Sequence, residues 1–159
     1  DIKTDLGCVI EFQHSQIKPE ERQSREAFYE NLIWVVDGRR RLNDKNQFFG
    51  ALGNRSDESW PEIRIGIPDG SLFRDWIESS SLILFDFGHD HLWLLFPESN
   101  VAWAYVLPLH RSVFIDAYRS PGSNASLTLQ GLMSRFKLFF EEYSLRKRPV
   151  LSFKDIPDK

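Results

Sequence analysis

Polar and apolar positions follow three different rhythms along this chain. Cys8-Val9-Ile10-Glu11-Phe12-Gln13 is apolar and β-branched with polar residues at alternate positions, which predicts a strand over 8–13. Residues 1–4 read as its partner, because Asp5-Leu6-Gly7 is a short turn whose glycine can take positive φ. Pro19 suits the first turn of a helix, and Glu20 and Glu21 follow where the helix dipole favours negative charge. A helix is therefore predicted over 19–30. Leu32-Ile33-Trp34-Val35-Val36 is an unbroken apolar run ended by Asp37-Gly38, the pattern of a buried strand. Strand, helix, strand in this order predicts a βαβ unit with parallel strands.

The remaining chain is less regular. Residues 39–59 are polar, with Phe48-Phe49 as an anchor, and read as a loop or short helix. Residues 62–67 suit a short strand and 73–79 a helical turn. Strands are predicted over 82–87, 92–96 and 102–107, separated by Gly88-His89-Asp90 and Pro97-Glu98-Ser99-Asn100. They read as antiparallel, either extending the sheet or forming a subdomain on it. Residues 111–119 fit a helix or a strand equally, and 120–124 read as a loop. Over 127–145, Leu129, Leu132, Met133, Phe136, Phe140 and Tyr143 recur at helical spacing. Residues 1–148 are expected to form one domain, with 60–110 as its strand-rich part and 149–159 as a poorly ordered tail.

Composition narrows the function classes. The chain has 159 residues, 42% of them hydrophobic and 27% charged, as in a soluble globular protein. Its 20 basic and 23 acidic side chains give a net charge of −3, which excludes a globally basic nucleic-acid binder but not a local basic patch. A single cysteine, Cys8, excludes an internal disulfide framework and a multi-cysteine zinc site. No apolar run has the roughly 20 residues of a membrane-spanning helix, and a cytoplasmic protein is expected.

The hairpin holds the most suggestive chemistry. Glu11 and Gln13 share a strand face with Val9. If Asp5-Leu6-Gly7 is a three-residue loop, Thr4 pairs with Cys8 and Asp1 lies across from Glu11. Opposed carboxylates with Cβ atoms about 5 Å apart repel one another. A divalent cation between them removes that cost, and hard oxygen ligands suit Mg²⁺ or Mn²⁺. A two-residue loop would pair Asp1 with Phe12 instead and spoil the site.

Asp1, then Glu11-Phe12-Gln13-His14-Ser15, then Pro19-Glu20-Glu21, Arg25 and Tyr29, then Ile33-Trp34-Val35-Val36-Asp37-Gly38 resembles the nuclease domain of the competence protein CoiA family, within the PD-(D/E)xK nuclease superfamily. The resemblance covers residues 1–38. It implies an α/β fold with a restriction-endonuclease-like PD-(D/E)xK core, its mixed sheet flanked by helices and here extended by antiparallel strands. It also implies Mg²⁺- or Mn²⁺-dependent hydrolysis of phosphodiester bonds in DNA. Carried over, Asp1 and Glu11 are metal ligands and Phe12 offers its backbone carbonyl. Gln13 stands where many members have lysine, and could orient water and phosphate without supplying positive charge. The resemblance starts at Asp1, so the part of the fold that precedes it is expected to lie upstream of this chain. DNA uptake, mobile elements and defence against foreign DNA are the settings implied.

Other side chains admit two readings each. His14 is a phosphate contact or a loop residue, and Arg25 touches a phosphate or pairs with Glu21. Arg39-Arg40-Arg41 follows a strand end where open α/β sheets bind ligands, and offers dense charge for a nucleic-acid backbone or a solvated loop. Arg146-Lys147-Arg148 complements a helix dipole. His89 and His91 have ligand-like spacing but read as a polar turn, Trp34 as core and Cys8 as buried and inert. Phe85, Phe87, Trp93, Phe96, Trp103 and Tyr105 are expected to fill a second sheet layer. Two further functions stay open: a nucleic-acid-binding module on the same fold with lost or partner-dependent catalysis, and a protein–protein interaction domain. RNA as substrate and a partner protein or homo-oligomer stay open as well.

Overall fold

The computed structural model describes residues 1–52, 63–66, 71–98 and 102–147. The expected tail lies outside the described residues, as do Arg148 and the outer residues of the expected 62–67 strand.

The first 37 residues fold as their pattern predicts. Strands β1 (Ile2–Lys3) and β2 (Val9–Gln13) form an antiparallel hairpin. Helix α1 (Pro19–Phe28) has Pro19 in its first turn with Glu20 and Glu21. Strand β3 (Leu32–Asp37) then pairs with β2 in parallel, Glu11 beside Trp34 and Gln13 beside Val36.

Helix α2 (Leu42–Leu52) follows, then β4 (Ile63–Gly66), α3 (Ser71–Trp76), β5 (Leu82–Asp86), β6 (His91–Pro97), β7 (Trp103–His110), α4 (Arg111–Arg119) and α5 (Asn124–Lys147). All strands join one mixed seven-stranded sheet in the order β1-β2-β3-β5-β6-β7-β4. β5 lies parallel to β3, and the strands beyond it are antiparallel. The later strands thus extend the sheet rather than build a subdomain.

One sheet face packs against α2 and α3, through Trp34, Val36 and Phe85 against Phe48, Phe73 and Trp76. The other packs against α4 and α5, through Ile33, Leu84 and Phe96 against Phe114, Leu129 and Phe136. This arrangement corrects the expected second sheet layer. Phe85, Phe87 and Trp93 sit on the first face, whereas Phe96 and Tyr105 sit on the second. Trp103 carries the Arg64 guanidinium 4.2 Å from its ring centre.

One ambiguous segment is resolved and two boundaries differ from expectation. Residues 111–119 form a helix because His110 caps it, its ring nitrogen accepting from the Ser112 N–H at 3.3 Å, while Phe114 and Ala117 turn inward. Helix α5 starts before Leu127, with Ser123 Oγ accepting from the Ser126 N–H at 3.2 Å. Strand β7 runs through Pro108, which pairs with Trp93 on one side. On its other side the described residues of β4 pair with Trp103 to Val106. No helix among the described residues is long and apolar enough to cross a membrane.

Candidate functional site

The hairpin turn decides where the carboxylates stand. Gly7 takes φ +73°, its N–H donates to Thr4 O at 3.0 Å, and the Thr4 N–H donates to Cys8 O at 2.9 Å. Asp5-Leu6-Gly7 is therefore a three-residue loop. Ile2 pairs with Ile10 and Lys3 with Val9, so the same register sets Asp1 opposite Glu11. Both line one open cleft of about 490 Å³ with Phe12, Ser24, Arg25, Phe28 and Tyr29. The ring of Phe12 starts on the opposite sheet face by strand alternation, so its main chain is its natural contribution to the cleft.

Helix α1 supplies the far wall and is anchored on its inner side. Arg22 is buried, donates from Nη1 to Asp75 O at 2.6 Å, and lies 3.7 Å from Glu26. Glu26 in turn accepts from the Ser79 hydroxyl at 2.5 Å and from the Ser80 N–H at 3.2 Å. Arg25, on the cleft side, donates from Nη1 to Glu11 Oε2 at 2.7 Å and from Nη2 to Glu21 Oε1 at 2.6 Å. Its guanidinium also sits 6.0 Å from the Trp34 ring. The hydrogen bond to Glu11 holds Arg25 above its ordinary pKa, so it stays charged. The expected Arg25–Glu21 pair is present. The link to Glu11, only 8% exposed, is the contact that sequence reasoning missed.

Gln13 shares the Glu11 face but does not line the cleft. Its amide donates to Ser15 O at 2.7 Å and approaches Ser15 Oγ at 3.3 Å. Apart from Arg25, the basic residues assigned to nucleic acid lie outside this cleft and are mostly paired. His14 Nδ1 is 3.5 Å from Asp37 Oδ2. Arg39 donates to Asp37 through its backbone N–H at 2.9 Å and its Nε at 3.3 Å. Arg41 pairs with Asp75 at 2.6 Å and Asp44 at 3.5 Å. Arg40 donates its N–H to Asp37 O at 3.4 Å. The arginine run does occupy the carboxyl end of a parallel strand, but two of its three guanidinium groups neutralise nearby carboxylates.

That strand end holds a second polar cluster. Asp37 and Asp86 are neighbours across β3 and β5. Arg111 grips Asp86 with two bonds of 3.0 and 2.7 Å, and the Gly88 N–H adds one of 2.7 Å. Burial alone would raise the Asp86 carboxyl, but these hydrogen bonds take it below its ordinary pKa. The two aspartates were not singled out from sequence, because only the strand order brings them together.

Asp1 and Glu11 are the two acidic residues that line the cleft, and a divalent cation bound there would be held by them. Mg²⁺ is commonly held by one or two carboxylates with waters and a phosphate completing the shell, and this donor set fits that pattern. Among the described residues no group of three His, Cys, Asp or Glu converges as a metal cage. His91 faces His110 with ring centres 5.2 Å apart, and His89 meets Phe49, so His89 and His91 form no joint site. Trp34 and Cys8 are buried, as expected, and burial pushes the Cys8 thiol up. No protein-family model, curated protein or solved structure matches this chain.

Proposed function

We propose that the protein is a divalent-metal-dependent nuclease acting on DNA at the Asp1–Glu11 cleft, built on a PD-(D/E)xK-like core. The observation that carries this reading is the hairpin register, which opposes Asp1 and Glu11 in one cleft with Arg25. Hairpin, helix and parallel strand in that order also suit the core that residues 1–38 resemble.

In this reading the Asp1 and Glu11 carboxylates, with the Phe12 carbonyl, hold Mg²⁺ or Mn²⁺. The bound ion supplies a water of lowered pKa and offsets charge on the phosphate. Arg25 binds a phosphate oxygen with the guanidinium that rests on Glu11 when no substrate is present. Such a planar, permanently charged fork suits phosphate better than a lysine would. Gln13 orients the attacking water after its amide leaves Ser15. Arg40 and His14, at the carboxyl ends of β3 and β2, meet the flanking backbone.

A second reading rests on one specific observation. Gln13 carries no charge and its amide is already committed to Ser15. A binding module without catalysis would tolerate that arrangement. Plasmid nicking in Mg²⁺ by wild type and Glu11→Ala separates the two. Nicking that is lost in Glu11→Ala supports the enzyme. Equal nicking by both would remove this site from the reaction, and DNA binding without any nicking supports the module.

A further inference from the structure

A second cavity, of about 350 Å³, opens on the sheet face opposite the carboxylate cleft. It lies between the hairpin turn and helices α4 and α5, bordered by Cys8, Tyr118 and a stripe along α5. The stripe runs Ser126, Leu129, Met133, Lys137, at three- and four-residue spacing, so these side chains share one helix face. Eleven residues at 1.5 Å each separate its ends by about 16 Å.

The polar groups at the two ends differ. Ser126 is wholly buried, and its hydroxyl has no hydrogen-bond partner. The Tyr118 hydroxyl is likewise buried without a well-aligned partner, beside the Cys8 thiol, which is a weak one. A buried hydroxyl left unpaired costs about 1–3 kcal/mol, so this end favours an incoming acceptor. At the other end Lys137 makes no ion pair among the described residues. Its only polar contact there is Asn31 Oδ1 at 3.4 Å. No carboxylate side chain borders the cavity. Leu129 and Met133 provide the apolar middle.

We propose that this cavity binds a medium-chain carboxylic acid with a polar far end. Its carboxylate pairs with Lys137, its chain lies on Leu129 and Met133, and its terminal oxygen accepts from Ser126 and Tyr118. The order of cation, apolar stretch and unpaired hydroxyls matches such a molecule end to end. The volume falls within the range of small-ligand sites.

Calorimetric titration with ω-hydroxydecanoate, decanoate and decanol, each below its micelle concentration, tests the assignment. The hydroxy acid is expected to bind most tightly and decanol most weakly. Lys137→Met, at an exposed position, is expected to weaken both acids about tenfold or more. Ser126→Ala is expected to bring the hydroxy acid several-fold closer to the affinity of decanoate, the Tyr118 hydroxyl being retained, and to leave decanoate unchanged. Methylthiolation of Cys8, the single cysteine, is expected to slow when the hydroxy acid is bound. Decanol binding as well as decanoate, Lys137→Met without effect, or no binding by any of the three overturns the proposal. If Ser126→Ala does not fold, Lys137→Met and the decanol comparison still decide.

Discussion

Arg25 Nη1 lies 2.7 Å from Glu11 Oε2, so a cation from the protein occupies the place where a metal ion is expected to bind. The same guanidinium reaches Glu21, and α1 holds it over Trp34. Glu11 is thus paired with a guanidinium in a nearly buried position, and a divalent ion must compete with Arg25 for it.

This competition gives opposite effects on binding and catalysis. Arg25→Ala is expected to tighten Mn²⁺ binding several-fold, read by calorimetry, and to lower DNA cleavage at least tenfold. It should also cost about 1–2 kcal/mol in urea unfolding, the scale of a partly exposed charge-assisted bond. Weaker Mn²⁺ binding in the variant would show that Arg25 supports the metal ligand rather than competing for it.

The inner side of α1 is expected to dominate its stability. The Arg22 and Glu26 side chains are both buried, and removing one leaves the other without its opposite charge. Glu26→Ala is therefore expected to lose about 3–5 kcal/mol, measured by chemical unfolding. Replacing both residues by apolar ones of similar volume, Arg22→Met with Glu26→Leu, should recover much of that loss. A small loss in the single variant would mean that the serine hydroxyls and N–H around Glu26 contribute little.

Asp86 should shape the acid limb of stability. Its folded pKa is depressed against its unfolded value by the Arg111 and Gly88 hydrogen bonds, which outweigh burial. The stabilisation is present above the unfolded carboxylate pKa of about 3.9 and is lost as pH falls through the lower folded value. Arg111→Met is expected to lower the melting temperature near neutral pH and to flatten its decline below about pH 4. Parallel wild-type and variant curves would locate the acid sensitivity elsewhere.

Gly38 is held by a close approach rather than by its dihedral angles. A Cβ placed there would stand 2.3 Å from Phe87 Cε1, and the Gly38 N–H donates to Asp86 O at 2.8 Å. Gly38→Ala must displace a buried ring and is expected to lose about 1–3 kcal/mol, measured by thermal unfolding. A neutral result would mean that the Phe87 ring repacks freely.

How far sequence reasoning reached depends on how local the signal was. The hairpin was legible because Gly7 and the alternation around Glu11 act within a few residues, whereas its register stayed open between two loop lengths that the Thr4–Cys8 and Thr4–Gly7 hydrogen bonds decide. The βαβ unit was legible because Pro19 and the run from Leu32 to Val36 are unambiguous. Helix α2 was blurred because Asp44, a polar residue, shares its buried side with Phe48 and Leu52. The helix over 111–119 was hidden because its cap is His110, a residue type seldom used there. The position of β4 at the far edge, with β5 beside β3, is set by long-range pairing that no local pattern encodes. The same holds for the neighbours Asp37 and Asp86. Arg39 and Arg41 read as a charge run, yet their carboxylate partners include Asp75, which only the fold brings near.

The most direct test of the Asp1–Glu11 assignment is the anomalous signal of crystals soaked in Mn²⁺. A peak within about 2.0–2.5 Å of carboxylate oxygens from both residues, absent in Glu11→Gln, is the expected result. Manganese bound only at other residues, or retained at the same place in Glu11→Gln, would contradict it.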